Sequence, residues 1–187
     1  KVSLIKEISS SKKDKDELAF TWIVDFPLFT QQSKEDFYLG SGSSNWAPSH
    51  HMFTAPNPED IELLDKDPGK VRGLQHDLIL NGYEIGGGSI RIHDPKIQSK
   101  IFELIGFSET QKKEFEHMLT AFKYGVPPHG GIAPGIDRFL MVALGEPSLR
   151  ETMAFPMTAG GNTSVMDAPS QATPDQLKEL NIKVLEK

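Results

Sequence analysis

The dipeptide Asn81-Gly82, set between the apolar runs of "HDLILNGYEIGGGSIRIHD", constrains the fold more than any other stretch of the chain. A two-residue type I′ turn needs positive φ at both central positions, and Asn followed by Gly adopts it readily. The dipeptide therefore predicts an antiparallel hairpin with Leu80 facing Tyr83 and Ile79 facing Glu84. Directly opposed residues share a face, and so do residues two positions apart on one strand. Asp77 and Glu84 are then diagonal neighbours on one face, about 7 Å apart or somewhat less at Cβ. Two carboxylates at that spacing are within reach of one divalent cation, and Mg²⁺ carrying phosphates is the natural candidate. The same spacing also describes an exposed hairpin face that carries charge.

Strict alternation beyond Glu84 sends Arg91 to the opposite face. The run Gly86-Gly87-Gly88 offers an escape, because a glycine bulge shifts the parity by one and re-aims every residue after it. A site that uses both acids together with Arg91 requires such a bulge.

A second stretch, "GGIAPGIDRF" at residues 130–139, has the same sparseness. Gly130, Gly131, Ala133 and Gly135 describe an extended segment without bulk on one side. Asp137-Arg138 then leads into a helix through Phe139, Leu140, Met141 and Leu144. A bare strand feeding a helix, with arginine at the junction, suits a flat or phosphorylated ligand lying against the backbone. The guanidinium can stack on a ring or pair with phosphate. Tight packing between strand and helix is the alternative. Pro134 removes a ladder donor, so it places this segment at a sheet edge or a bulge.

The flanking segments fill in the class. "AFTWIVDFPLF" (residues 19–29) is aromatic and β-branched and predicts a buried strand, with Trp22, Phe26 and Phe29 in the core. Asn57-Pro58 starts a short helix. Asp94-Pro95 caps a helix with Ile97, Ile101, Leu104 and Ile105 on one face, ended by Gly106. Ser108 and Gln111 form a capping box, after which Phe115, Met118, Leu119 and Phe122 follow at helical spacing until Gly125. Thr173-Pro174-Asp175-Gln176 caps a last short helix. The expected class is α+β, a mainly antiparallel sheet flanked by helices.

Composition narrows the functions. The 187 residues suit one globular domain or a domain with a short appendage, and the net charge of −6 does not indicate a generally basic nucleic-acid surface. The absence of cysteine excludes disulfides, thiolate chemistry and Cys-type zinc sites. No apolar run approaches the ~20 residues of a membrane span. "KVSLIKEISS" has neither an initiator Met nor a signal-peptide core, so the chain reads as a piece of a longer one.

"GGIAPGIDR" resembles the third signature motif of class II aminoacyl-tRNA synthetases, in the form found in bacterial-type aspartyl-tRNA synthetases. "VDFPLF", "HHMFTAP", "DLILNGYEIGGGSIRIHDP", "FKYGVPPHGGIAPGIDR" and "APS…QLKELNI" are similar to that family in the same order, from about Phe20 to the C-terminus. The resemblance implies activation of L-aspartate by ATP to aspartyl-adenylate, followed by transfer to tRNA(Asp). It puts His50 and Arg91 on the amino acid, Arg91 holding the side-chain carboxylate. It puts Glu84, Gly135, Ile136, Asp137 and Arg138 on ATP, and Asp77 with Glu84 on Mg²⁺. A His-His pair by itself is more often a surface or satisfied pair than a substrate contact; the motif around it selects the first histidine, His50.

The resemblance also implies what to expect around this chain. Residues 1–17 read as a linker or the exit of an inserted domain, and residues 18–187 as the C-terminal part of the catalytic domain, inactive alone. The segment 31–49 reads as a lid over the amino acid or a plain loop. The full-length protein is expected to be a homodimer, to meet no membrane, and to work in the cytoplasm or an organellar matrix. An asparagine-type synthetase and a non-catalytic module that kept the fold are the alternatives.

Overall fold

The structure, a computed structural model, describes residues 17–31, 44–163, 165 and 168–185. The expected linker lies outside these residues except for Glu17, as does most of the segment 31–49.

The hairpin forms as the turn chemistry requires. Strand β4 (Gln75–Leu80) and strand β5 (Tyr83–Ile90) are antiparallel. Asn81 and Gly82 take φ of 49° and 90°, the positive values of a type I′ turn. Asn81 does a second job: its side-chain oxygen accepts from Ala19 N (2.9 Å) and its amide donates to Glu17 O (3.0 Å), which seats the start of β1 (Phe20–Ile23). The sheet order is β1-β4-β5-β6, with β6 at Gly130–Pro134. Pro134 is thus on an edge strand, where its missing N–H costs no interior ladder bond. Two shorter strands, β2 (Phe29–Gln31) and β3 (Trp46–Pro48), pair separately.

The helices follow their local signals. After a 3₁₀ turn at Pro58–Asp60 capped by Asn57, α1 spans Leu63–Lys66. Helix α2 (Pro95–Leu104) is capped by Asp94, whose carboxylate accepts from Lys96 N at 2.7 Å, and Gly106 follows at φ 76°. The capping box at Ser108 and Gln111 is present. The helix expected beyond it is two helices, α3 (Glu109–Glu114) and α4 (Glu116–Lys123). The break falls at Phe115, whose ring sits 5.5 Å from that of Phe102 and 5.7 Å from that of Phe53. Helix α5 (Ile136–Leu144) follows β6 directly and ends at Gly145 in the left-handed region. The capping box at Thr173 and Gln176 opens α6 (Pro174–Glu179).

The core gathers Leu28, Phe29, Leu64, Val71, Ile92, Ile101, Phe102, Ile105 and Phe107, so it lies between α2 and the β2–β3 region. Phe102 is fully buried and stacks on Phe107 at 5.1 Å. Phe29 is in this core as expected, and Phe26 is half-buried. Trp22 is not core. It is 56% exposed, because β1 is the other edge of the sheet and the described residues do not cover its outer face.

A carboxylate clamp fixes the segment entering the hairpin. Asp60 accepts from Arg72 Nε at 2.8 Å, from Nη2 at 3.0 Å and from the Arg72 backbone N at 3.0 Å, while Glu59 accepts from Nη2 at 2.8 Å. The hydrogen bonds from Arg72 hold the Asp60 carboxyl below its usual range.

Candidate functional site

The bulge that the chemistry demands exists, one residue earlier than the glycine run. Leu78 pairs with Gly86 while Ile79 pairs with Glu84, so Ile85 is the extra residue. Its carbonyl receives Gly135 N at 2.7 Å, which ties the bulge to the junction between β6 and α5. After the bulge Gly87 lies opposite Asp77, and Ser89 lies opposite Gln75. Asp77, Glu84, Gly87, Ser89 and Arg91 therefore share one face of the hairpin.

At the turn end of that face the two acids converge. A Cβ placed on Gly87 would lie 3.0 Å from Asp77 Oδ1 and 3.6 Å from Glu84 Oε1. Both carboxylates thus lean over the same bare patch of backbone. Among the described residues no group of three or more His, Cys, Asp or Glu side chains could hold a metal. Two acids and open space fit Mg²⁺, which is commonly bound through one or two carboxylates plus substrate phosphates.

Arg138, in the first turn of α5, comes in from the side. Its Nη1 donates to the Glu84 backbone carbonyl at 3.0 Å and lies 3.9 Å from the Glu84 carboxylate. The backbone bond sets the guanidinium in place, and the long, half-exposed ion pair leaves it available to an anion. Glu84, Gly87, Gly135, Asp137 and Arg138 line one open cleft of about 230 Å³. Ile136 does not line it: its side chain is exposed. Helical geometry accounts for this, since residues two apart point about 200° apart around the axis and Arg138 takes the cleft side.

The glycines of the two strands divide the labour. Gly87 leaves room for the acids. Gly88, one residue on, faces the neighbouring strand: a Cβ there would sit 1.9 Å from Gly131 O. Close packing against β6 explains Gly88, and Gly87 leaves the space that a ligand would need.

At the other end of the face, Arg91 forms a bridge with Thr54, and its backbone N donates to His129 O at 2.9 Å. The side chain does not meet His50, the histidine that the resemblance puts on the amino acid. Arg91 Nη1 instead donates to Nδ1 of His51 at 3.0 Å. His50 is exposed, 3.3 Å from Thr54 Oγ1 and 4.5 Å ring to ring from His51. Burial first, then the charge of Arg91, then His50 push the His51 imidazole from 6.5 down to about 4. Behind it, Thr54 Oγ1 donates to Ser89 Oγ at 3.4 Å, and both side chains are buried. Buried Gln98 of α2 donates to Met52 O at 2.9 Å and anchors the histidine segment to the core.

His51, Ser89, Thr54 and Gln98 are the site residues that sequence reasoning missed. Periodicity cannot choose between two adjacent histidines in a loop, and Gln98, although on the buried face of α2 with Ile101, Phe102 and Ile105, is polar and so carries no hydrophobic signal. Two signals were available: Ser89 lies two residues before Arg91, so both share a face, and Gln98 stands at helical spacing from Ile101, Phe102 and Ile105.

Comparison with known proteins identifies the family. Residues 5–159 match the profile of the tRNA synthetases class II (D, K and N). The chain is 50% identical over 172 residues to an aspartate–tRNA(Asp/Asn) ligase of Rubrobacter xylanophilus, covering 91% of this chain and 27% of that protein. It is 47% identical over 174 residues to an aspartate–tRNA ligase of Parabacteroides distasonis, covering 92% of this chain and 28% of that protein. It therefore spans little more than a quarter of the length of these relatives. Among solved structures it resembles the aspartyl tRNA synthetase from Entamoeba histolytica, with TM-score 0.51 and 25% identity over 81% of this chain and 25% of that one. It shares the fold of the asparaginyl-tRNA synthetase from Pyrococcus horikoshii, with TM-score 0.52 and 19% identity over 84% of this chain and 34% of that one. The chain, with its bulged hairpin and glycine strand, belongs to the class II tRNA synthetases of the D, K and N group.

Proposed function

We propose that this chain supplies the aspartate- and ATP-binding part of an aspartate–tRNA ligase, which activates L-aspartate to aspartyl-adenylate and transfers it to tRNA. One observation carries the reading. The Ile85 bulge sets two acids and a guanidinium on one face of a hairpin, and a second guanidinium reaches that face from α5. The names of the relatives support the same activity.

In this reading Arg91 pairs with the side-chain carboxylate of aspartate through its planar fork. Facing the amide of asparagine, it would lose the charge pairing, and a site built this way discriminates by roughly 10⁴. Glu84, Gly135, Asp137 and Arg138 cradle ATP, with Ile136 contributing through its place in the turn. Asp77 and Glu84 hold Mg²⁺, which screens the polyphosphate charge when bound. The α-carboxylate oxygen of aspartate attacks the α-phosphorus and pyrophosphate leaves. The terminal ribose hydroxyl of tRNA then attacks the carbonyl of the mixed anhydride and AMP leaves. The residues act by positioning and by aiming positive charge where negative charge develops, with no covalent enzyme intermediate. The full-length protein is a cytoplasmic homodimer in this reading. Among the described residues no helix is long and apolar enough to cross a membrane.

ATP–pyrophosphate exchange on the full-length protein that carries this chain tests the proposal. Exchange dependent on aspartate and not on asparagine is expected. Exchange with asparagine instead would make it an asparagine-type enzyme, and no exchange with any amino acid would make it a non-catalytic module.

A further inference from the structure

We infer that His51 is a positioning residue that sets the preference of the site for a carboxylate over an amide, by holding Arg91 through a neutral ring nitrogen. The inference rests on the proposed role of Arg91 as the group that meets the substrate's side-chain carboxylate.

The geometry fixes the tautomer. Nδ1 of His51 receives Arg91 Nη1 at 3.0 Å and also the backbone N–H of Phe53 at 3.1 Å. A nitrogen facing two obligate donors carries no proton, so the proton sits on Nε2, which faces Ser89 Oγ at 3.5 Å. The ring is held between the buried Thr54–Ser89 pair and a backbone that Gln98 anchors. It is a partly buried acceptor with polar partners at both ring nitrogens.

The choice of acceptor carries the function. Arg72 is matched by Asp60 and Glu59, and Arg138 has Glu84 nearby. Among the described residues Arg91 has no carboxylate within ion-pair distance, and its described side-chain partner is an uncharged imidazole. A carboxylate at position 51 would orient Arg91 equally well and would also neutralise it. A neutral acceptor takes one N–H, fixes the plane of the fork, and leaves the full positive charge for an incoming anion. A substrate amide gains nothing from that unspent charge.

The test uses the full-length protein carrying this chain, with ATP–pyrophosphate exchange and histidine ¹⁵N spectra. In the spectra, wild-type His51 at pH 7 should be neutral with its proton on Nε2. His51→Ala should raise the KM for aspartate about 10- to 100-fold, as expected for losing a hydrogen bond to a charged group, with the KM for ATP unchanged. His51→Asn, whose Oδ1 restores an acceptor near Nδ1, should recover most of the loss. His51→Asp should keep Arg91 in place yet lower the aspartate-over-asparagine ratio by at least the same factor. A ring protonated on Nδ1 overturns the inference whatever the variants do. So does an equal loss toward aspartate and ATP that Asn does not rescue, or an unchanged ratio in His51→Asp. These results leave the aspartate-activating role standing, whereas a wild-type protein that never responds to aspartate removes both.

Discussion

Gly87 and Gly88 are chemically identical neighbours, and the structure assigns their replacement opposite consequences. A Cβ on Gly88 would meet Gly131 O at 1.9 Å, and Gly131 C and Ile132 Cα at 2.9 Å, all of them backbone atoms of β6. Carbon atoms in contact sit at about 3.5–4.0 Å, so β6 would have to retreat by more than an ångström. That retreat strains or breaks the pairings Gly88↔Ile132 and Ser89↔Gly131. Overpacking costs about 1–3 kcal/mol, and each lost ladder bond about 1 kcal/mol more. Gly88→Ala should therefore destabilise the β5–β6 pair by about 3–5 kcal/mol, a large share of the ~5–15 kcal/mol that holds a domain together. Gly87→Ala meets only the end of the Asp77 side chain at 3.0 Å, which can swing aside. Its cost to stability should stay below about 1 kcal/mol, offset further by the entropy Ala removes from the unfolded chain. Its methyl, however, fills the space between the two acids and should weaken Mg²⁺–ATP binding about tenfold or more. Hydrogen exchange of peptides covering 83–90 and 130–134, paired with ATP titration, reads both effects. Normal exchange protection in Gly88→Ala, or normal ATP binding in Gly87→Ala, would refute this division of roles.

Four further outcomes follow from the same coordinates. Arg91→Lys keeps the charge but loses the planar fork, so aspartate-dependent exchange should fall about 100-fold while the KM for ATP holds. Glu84→Gln or Asp77→Asn should raise the Mg²⁺ concentration for half-maximal exchange about tenfold, leaving thermal unfolding in place. Phe102→Ala removes a fully buried ring from the aromatic cluster and should cost about 3–5 kcal/mol in urea unfolding. His51 should titrate in NMR spectra with a midpoint of about 4, against 6.5 in the unfolded chain. Between those values the unfolded state binds the extra proton, so stability falls as pH drops from 6.5 to 4, and His51→Asn should flatten that part of the profile.

Legibility in the sequence follows the range of the interaction. Caps at Asn57, Asp94, Ser108 and Thr173 depend on a side chain and a backbone N–H a few residues away, and each forms where the sequence puts it. The turn at Asn81-Gly82 is local for the same reason. The bulge was legible only in part. Parity requires one extra residue between Glu84 and Arg91, and every position in that interval satisfies the requirement. Ile85 is selected by a contact 50 residues away, the bond from Gly135 N. Trp22 was misread because hydrophobicity marks a strand without saying whether it lies in the middle of a sheet or at its edge. His51 escaped for a related reason. A loop has no period, so only the placement of Arg91 across the fold decides which histidine it meets.

These long-range choices all converge on β5. In the proposed function the acids at its turn end meet charged phosphates and Arg91 at its far end meets a carboxylate, so the strand would act as a ruler between two anionic groups of one reaction. A regular strand could not do this, because Glu84 and Arg91 are seven positions apart and an odd separation puts them on opposite faces. One inserted residue reconciles the two ends, and the bare glycines after it let β6 close in on one side while a ligand approaches on the other. Neither Ile85 nor these glycines belong to the core cluster that packs around α2. The bulge at Ile85 therefore does for the proposed site what a regular strand could not, while Gly88 also serves the packing of β6 against β5.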